Sequence, residues 1–224
     1  MTKIEERNNQ IISYHILRMF IGILGITLPL IVIIGQLIQG GWVKVSNSIS
    51  ASYYSDFRDV LVGILFVLGF FLLSYRGKDN KENWFANSGF IFSLGVALLP
   101  CNHAVRIIQI LHYICAGLLF GMFAVFSLWL FRRNFFGKEL NTYLERINRV
   151  YIITGLILVV CIIALAFFVF IASDDFKDKV KPVLIVETIG LFTFAYAWFT
   201  RAHFLWRDPE EYKSRIFMFR SGVR

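Results

Sequence analysis

Three residues that can exchange protons or hold a cation lie at similar depths in three separate apolar stretches. Glu187 is the only carboxylate well inside such a stretch, His112 lies about two turns into another, and Asp59 lies near the start of a third. If the stretches are helices, all three residues fall within ~10 Å of the same side of a membrane. Ionisable groups in lipid are costly, so they point inward and often mark function. We therefore predict that three helices can present one site.

The polar segment before Asp59 adds further candidate ligand contacts, with Arg58 as an anion contact and His112 and Glu187 as hydrogen-bonding or proton-sensitive groups. The predicted pocket residues are Tyr53, Tyr54, Arg58, Asp59, His112 and Glu187. Structural interpretations stay open for four of them. Arg58 can reach lipid head groups, and Asp59 can offset the positive end of its helix. His112 can be a hydrogen-bonded packing residue, and Glu187 can be a buried tie to Arg58, His112 or Tyr54.

The composition excludes an ordinary soluble domain. Of 224 residues, 57% are hydrophobic and only 17% are charged, whereas soluble domains carry roughly a quarter charged residues. The excess apolar surface requires lipid. Three cysteines form no CxxC pair, and no phosphate-binding or metalloprotease motif occurs, so we predict no cofactor. The net charge of +8 fits cytoplasmic loops better than a nucleic-acid site.

Six apolar stretches are long enough to cross the membrane as helices, and no strand periodicity is visible. The sequence predicts an all-α, polytopic transmembrane bundle in one domain, residues 1–224. The predicted spans are 19–39, 57–75, 84–99, 107–131, 150–172 and 180–200.

The positive charges predict the orientation. With six spans, 17 of the 23 Lys and Arg residues fall on the side of both termini. Because cytoplasmic loops are enriched in these residues, both termini are predicted to be cytoplasmic, and the site above faces outward. We expect a cell-membrane protein, of the bacterial inner membrane, with lipids as partners.

Small residues indicate where helices approach one another. Gly117 and Gly121 form a GxxxG pattern in the fourth span. Such a pattern allows close packing within the bundle or between two copies, so both packing and a homo-oligomer stay open.

The stretch Ser48-Ile-Ser-Ala-Ser-Tyr-Tyr-Ser-Asp-Phe-Arg-Asp-Val-Leu-Val-Gly63, with Gly95-Val-Ala-Leu-Leu-Pro100, resembles a family of bacterial six-helix membrane proteins without an established activity. A weaker similarity is to the intramembrane hydrolases related to alkaline ceramidases and adiponectin receptors. That resemblance implies zinc held by residues such as Ser50 or Ser55, Asp59 and His112. The paired histidines of the last helix in that superfamily are absent, and Glu187 and His203 are too far apart to share a metal.

Three functions are compatible with these features. The first is an outward-facing pocket that binds a small molecule or a lipid head group, in a non-catalytic or as yet unclassified integral membrane protein. The second is a metal-dependent intramembrane hydrolase in which Asp59, His112 and Glu187 hold a metal-bound water. The third is a transporter or channel subunit, which the lack of an internal repeat disfavours.

Overall fold

The computed structural model of the chain describes residues 3–77, 79–133, 135–137 and 140–202, with side chains from His15 onward. Over these residues the fold is all-helical. The helices are α1 (Lys3–Gly40), α2 (Arg58–Ser74), α3 (Asn80–Leu98), α4 (Arg106–Val125), α5 (Thr142–Phe170), α6 (Asp174–Val180) and α7 (Pro182–Arg201). A π-helical turn, Phe126–Leu130, extends α4, and 3₁₀ turns at Trp42–Lys44 and Ser50–Tyr54 lie between α1 and α2.

Each predicted span falls on a helix. Within the described residues, four helical segments are long and apolar enough to cross a membrane, as expected of a helical membrane protein. They are His15–Gly40, Arg106–Leu130, Thr142–Phe170 and Pro182–Arg201. The other two predicted spans are weaker. α2 has 17 residues and is therefore about 25 Å long, less than the ~30 Å of a hydrocarbon core. α3 begins with the polar run Asn80–Asn83. Six spans therefore stay a prediction.

Local sequence signals explain where several helices begin. The side chain of Asp79 accepts a hydrogen bond from the backbone N–H of Glu82 at 2.9 Å, and Asn141 caps α5 in the same way. α5 therefore begins eight residues before the predicted span at residue 150. The last predicted span began at residue 180, but Lys181 adopts a left-handed conformation with φ 53° and Pro182 starts a new helix.

The six long helices pack as a closed ring in chain order. Each of α1 to α4 contacts the helix that follows it, and α7 packs against both α5 and α1, while α6 is only a short link between α5 and α7. α4 and α7 also touch across the interior, where the rings of Phe123 and Phe194 stack with centres 3.7 Å apart. Close approach of α1 to α7 requires Gly25, since a Cβ there would lie 2.9 Å from the Phe194 ring.

The two ends of the ring differ in composition. The loop end carries residues 41–57, 99–105 and 171–181, which are rich in serine, asparagine and aspartate. The arginine end carries residues 75–77, 131–133 and Arg201. Successive helices run in opposite directions between these ends, so His112 and Glu187 both lie near the loop end.

Candidate functional site

A cavity of about 280 Å³ lies between α4, α5 and α7 at the loop end of the ring. Its polar side is formed by Asn47, Ser48, Ser50, Cys101, His112, Tyr113, Lys177 and Glu187. Its apolar wall is formed by Ala116, Gly117, Phe120, Ile162, Leu165, Ala166, Val169, Phe170 and Val183. His112 and Glu187 lie in the second turns of their helices, and Phe120 lies about two turns deeper. The cavity is therefore polar near the bundle end and apolar toward its middle.

Glu187 connects α7 to the segment between α1 and α2. Its Oε2 accepts a hydrogen bond from the backbone N–H of Ile49 at 2.5 Å, and its Oε1 lies 3.4 Å from the Ser50 hydroxyl. These two residues begin the 3₁₀ turn Ser50–Tyr54, so the carboxylate caps its N–H groups. A side-chain partner was one expectation for Glu187, and the main partner is instead a backbone N–H.

His112 is buried, with 2% of its surface exposed. Its Nδ1 lies 2.7 Å from the carbonyl oxygen of Leu99, the residue that directly follows α3. Because a carbonyl oxygen can only accept, Nδ1 carries the hydrogen, and Nε2 of the neutral ring is an acceptor. In the described part of the chain, no hydrogen bond occupies Nε2. His112 therefore fixes the end of α3 and leaves one acceptor for a ligand.

Cys101 and Lys177 complete the polar side. Burial, together with the nearby Glu187 carboxylate, raises the pKa of the Cys101 thiol to about 12. The thiol therefore stays protonated at neutral pH and is a poor nucleophile. Lys177 donates to the carbonyl oxygen of Val169 at 3.2 Å and to the Asp174 carboxylate at 3.3 Å. Its charge is thus already balanced at the edge of the cavity.

The remaining predicted site residues lie outside this cavity. Arg58 donates to the Tyr53 hydroxyl at 2.8 Å, and its guanidinium carbon lies 4.4 Å from the centre of the Tyr53 ring. Tyr54 donates to the carbonyl oxygen of Asn102 at 2.5 Å and lines a separate open depression of about 640 Å³. Asp59 is exposed in the first turn of α2. The structure therefore brings only His112 and Glu187 of the six to one cavity.

The hydrolase hypothesis needs Asp59, His112 and Glu187 around one metal ion, and the geometry does not fit it. Asp59 is exposed on α2 and does not line the cavity. Within residues 15–202, where described, no group of three or more His, Cys, Asp or Glu residues could hold a metal. His203, the other histidine considered, lies outside the described residues.

Sequence reasoning missed Gln36, which holds the segment that covers the cavity. Gln36 is buried in α1 with 1% exposure. Its Nε2 lies 3.0, 3.2 and 2.9 Å from the hydroxyls of Ser46, Ser52 and Ser55, and its Oε1 accepts from the Ser46 N–H at 2.8 Å. A glutamine inside an apolar run was the available signal, because a buried amide in a span needs partners.

Lys181 is a second anchor that the sequence did not reveal. Its ammonium group donates to the carbonyl oxygen of Val45 and lies 3.3 Å from the Asn47 amide oxygen. The backbone N–H of Leu184 donates to the Asn47 carbonyl at 3.1 Å. The start of α7 and the residue before it therefore hold residues 45–49 in addition to the contacts of Gln36.

Gly117 and Gly121 do not bring helices together within this bundle. A Cβ at either position would meet nothing within 4 Å, and Gly117 lines the cavity. The lack of a side chain at Gly117 instead leaves part of the cavity empty.

No protein-family model, no curated protein and no solved structure matches the chain. The family resemblances drawn from the residues above therefore stay predictions, and function has to be inferred from the site itself.

Proposed function

We propose that this integral membrane protein binds a small amphiphile in the cavity between α4, α5 and α7. The supporting observation is that one cavity of about 280 Å³ joins an apolar wall to the polar pair His112 and Glu187. Binding sites for small molecules are typically apolar with a few placed polar groups. The apolar part would hold a hydrocarbon chain, and the polar end would hold a head group.

The head group should carry hydrogen-bond donors. Nε2 of His112 is an acceptor, and the Glu187 carboxylate, whose Oε1 lies 3.4 Å from the Ser50 hydroxyl, can accept more hydrogen bonds than residues 49 and 50 supply. Hydroxyl or amine groups would satisfy both acceptors. A carboxylate head group would place acceptor against acceptor, so fatty acids should bind worse than hydroxyl-bearing lipids of equal chain length.

The direct test compares two single-chain probes on detergent-purified protein. We expect a medium-chain monoacylglycerol to raise the unfolding temperature in a saturable way, whereas the matched fatty acid does so at least tenfold more weakly. Glu187→Gln retains an acceptor for the Ile49 N–H but presents an amide donor to the ligand. This variant should therefore reduce the difference in stabilisation between the monoacylglycerol and the fatty acid. An equal rise in unfolding temperature with both probes, or no rise with either probe, would contradict the proposed site.

We also propose that α2 and α3 span the membrane with the other four long helices, in a cell membrane, with both termini cytoplasmic. The closed ring supports this, because α2 and α3 complete it between α1 and α4. The bias of 17 positive residues to one side supports the orientation.

Labelling with a membrane-impermeant thiol reagent on intact cells tests this arrangement. Asp175→Cys at the loop end should react from outside, and Arg146→Cys at the start of α5 should react only after the membrane is opened. Both positions are exposed, and the parent protein provides the blank for its own cysteines, of which Cys101 and Cys161 are buried and Cys115 is half-buried. The reverse pattern would invert the orientation.

A further inference from the structure

The arginine end of the ring gathers three guanidinium groups from three different elements. Arg18 lies on α1, Arg133 follows the π-helical turn after α4, and Arg201 ends α7. They surround a buried pair in which the Tyr75 hydroxyl donates to Oε1 of Glu82 at 2.5 Å. The chain thus brings three permanent positive charges to one position at the end of the bundle.

The described acidic groups do not saturate these charges. One carboxylate, Glu82, is shared over long distances by Arg201 at 3.5 Å and Arg133 at 3.8 Å. Asp79 binds Arg133 in a bidentate pair at 2.5 and 2.8 Å. Arg18 has no ion pair with a described carboxylate, and its guanidinium carbon lies 5.5 Å from the centre of the Tyr75 ring. Among the described side chains, these three cations therefore face two carboxylates.

Several N–H donors in the same cluster also lack acceptors. Among the described residues, no hydrogen bond reaches the buried Nε atoms of Arg18, Arg133 and Arg201 or the buried indole nitrogen of Trp198. Trp198 is 1% exposed, and its ring centre lies 5.1 Å from that of Tyr75. Buried donors are normally paired, so four in one cluster indicate that an acceptor-rich partner belongs there.

Access from solvent or lipid head groups remains open. The side chains of Arg133 and Arg201 are 20% and 16% exposed, so neither side chain is fully enclosed by the protein. Planar guanidinium forks match the oxygens of a phosphate group, which can accept from several at once. The cluster also lies where the helices end, at the level expected for phosphate head groups.

We propose that Arg18, Arg133 and Arg201 form a binding site for a phosphate group at the arginine end of the bundle. Two sources could supply this group, an anionic phospholipid or free phosphate. The site is separate from the cavity at the loop end, and the proposal does not depend on the amphiphile ligand.

Arg18→Gln is the discriminating variant, since it removes the guanidinium that lacks a carboxylate partner and leaves Glu82 with its two arginines. Arg146→Gln is the matched control, because Arg146 is exposed near the same end and changes the net charge equally. Arg18→Lys keeps the charge but loses the planar fork, and should show a smaller loss than Arg18→Gln. If the Arg18→Gln protein does not fold, Arg18→Lys serves as the test variant in its place.

Two arms then identify the source of the phosphate. In detergent, unfolding temperature is measured against inorganic phosphate, with chloride at equal ionic strength as the reference. In nanodiscs, native mass spectrometry compares retention of phosphatidylglycerol with that of phosphatidylcholine. Stabilisation by inorganic phosphate supports the free anion, and selective retention of phosphatidylglycerol supports the lipid. In either case Arg18→Gln should weaken the effect at least tenfold and Arg146→Gln should not. The proposal would be overturned if neither stabilisation by phosphate nor selective retention of phosphatidylglycerol were observed. It would also be overturned if Arg18→Gln and Arg146→Gln weakened the effect equally.

Discussion

Glu187 of α7 accepts a hydrogen bond from the backbone N–H of Ile49 at 2.5 Å, across 138 positions of sequence. This bond joins a membrane helix to the segment that covers the cavity. Together with the contacts of Lys181 and Leu184, it makes the first two turns of α7 the support for residues 45–50. The same carboxylate thus has a structural role and faces the proposed ligand.

Replacing Glu187 separates these two roles. Glu187→Ala should lower the free energy of unfolding by about 1–3 kcal/mol, because it leaves the Ile49 N–H without an acceptor. Glu187→Gln should cost less, since the amide oxygen can still accept. Unfolding in mixed detergent measures both, and Glu145→Ala at an exposed position of α5 should change stability by less than about 0.5 kcal/mol. Equal losses for the alanine and glutamine variants would contradict the assigned hydrogen bond.

Gly117 and Gly121 provide a matched pair that tests the cavity. Gly117→Leu should weaken monoacylglycerol binding at least tenfold, about 1.4 kcal/mol, because the new side chain fills the space between α4 and α5. Gly121→Leu lies one turn further along and does not line the cavity, so it should leave binding unchanged. Titration of unfolding temperature against the lipid measures both.

The same two variants distinguish the cavity from a dimer contact through this GxxxG pattern. If two copies pack through α4, both leucines should abolish cross-linking in the membrane, since either would hold the helices apart. Loss of lipid binding in both variants alike would show that self-association, and not the cavity, requires these glycines.

Apolar runs predicted the helices because each span depends on local composition. His15–Gly40 and Thr142–Phe170 are long enough to be identified without tertiary information. The ends of these helices are not set by apolar composition alone. Asn141, which lies outside the apolar run, caps the first turn of α5 with its side chain. Likewise, one left-handed residue, Lys181, separates α6 from α7.

The site was predicted only in part, because depth along a helix does not specify direction around it. His112 and Glu187 lie at a similar depth in the bundle, and both line the same cavity. Asp59 has a similar depth, but its position on α2 leaves it exposed. Gln36 escaped notice because its partners, three serines, are brought near only when residues 46–55 fold back onto α1.

Gln36 should stabilise the segment of residues 46–55, which covers the cavity, more than its neighbour Gln39 does. Gln36→Leu removes the acceptor of the Ser46 N–H and the donor shared by three hydroxyls, and should cost about 1–3 kcal/mol. Gln39 is exposed, and within the described residues its side chain makes one hydrogen bond, to Asp56 at 3.2 Å, so Gln39→Leu should cost much less. Hydrogen exchange of residues 46–55 should accelerate only in the Gln36 variant. Similar exchange in both variants would show that other contacts hold this segment.

The pair of Asp79 and Arg133 should make stability at the arginine end depend on pH. The hydrogen bonds from Arg133 hold the pKa of the Asp79 carboxyl well below its ordinary value of 3.8. A lowered pKa in the folded state means that the ionised carboxylate favours folding above pH 3.8. This contribution is lost as the pH falls further toward the folded-state value.

Asp79→Asn isolates this effect, because asparagine can still cap α3 through its side-chain oxygen. The variant should unfold at a lower temperature than the parent near pH 6, and the two should converge as the pH falls below about 3.8. The control is Asp175→Asn, which removes the exposed pair of Asp175 and Lys179 at 2.9 Å and should have a smaller effect. A difference between parent and Asp79→Asn that widens in acid would have the wrong sign for a carboxylate stabilised by Arg133.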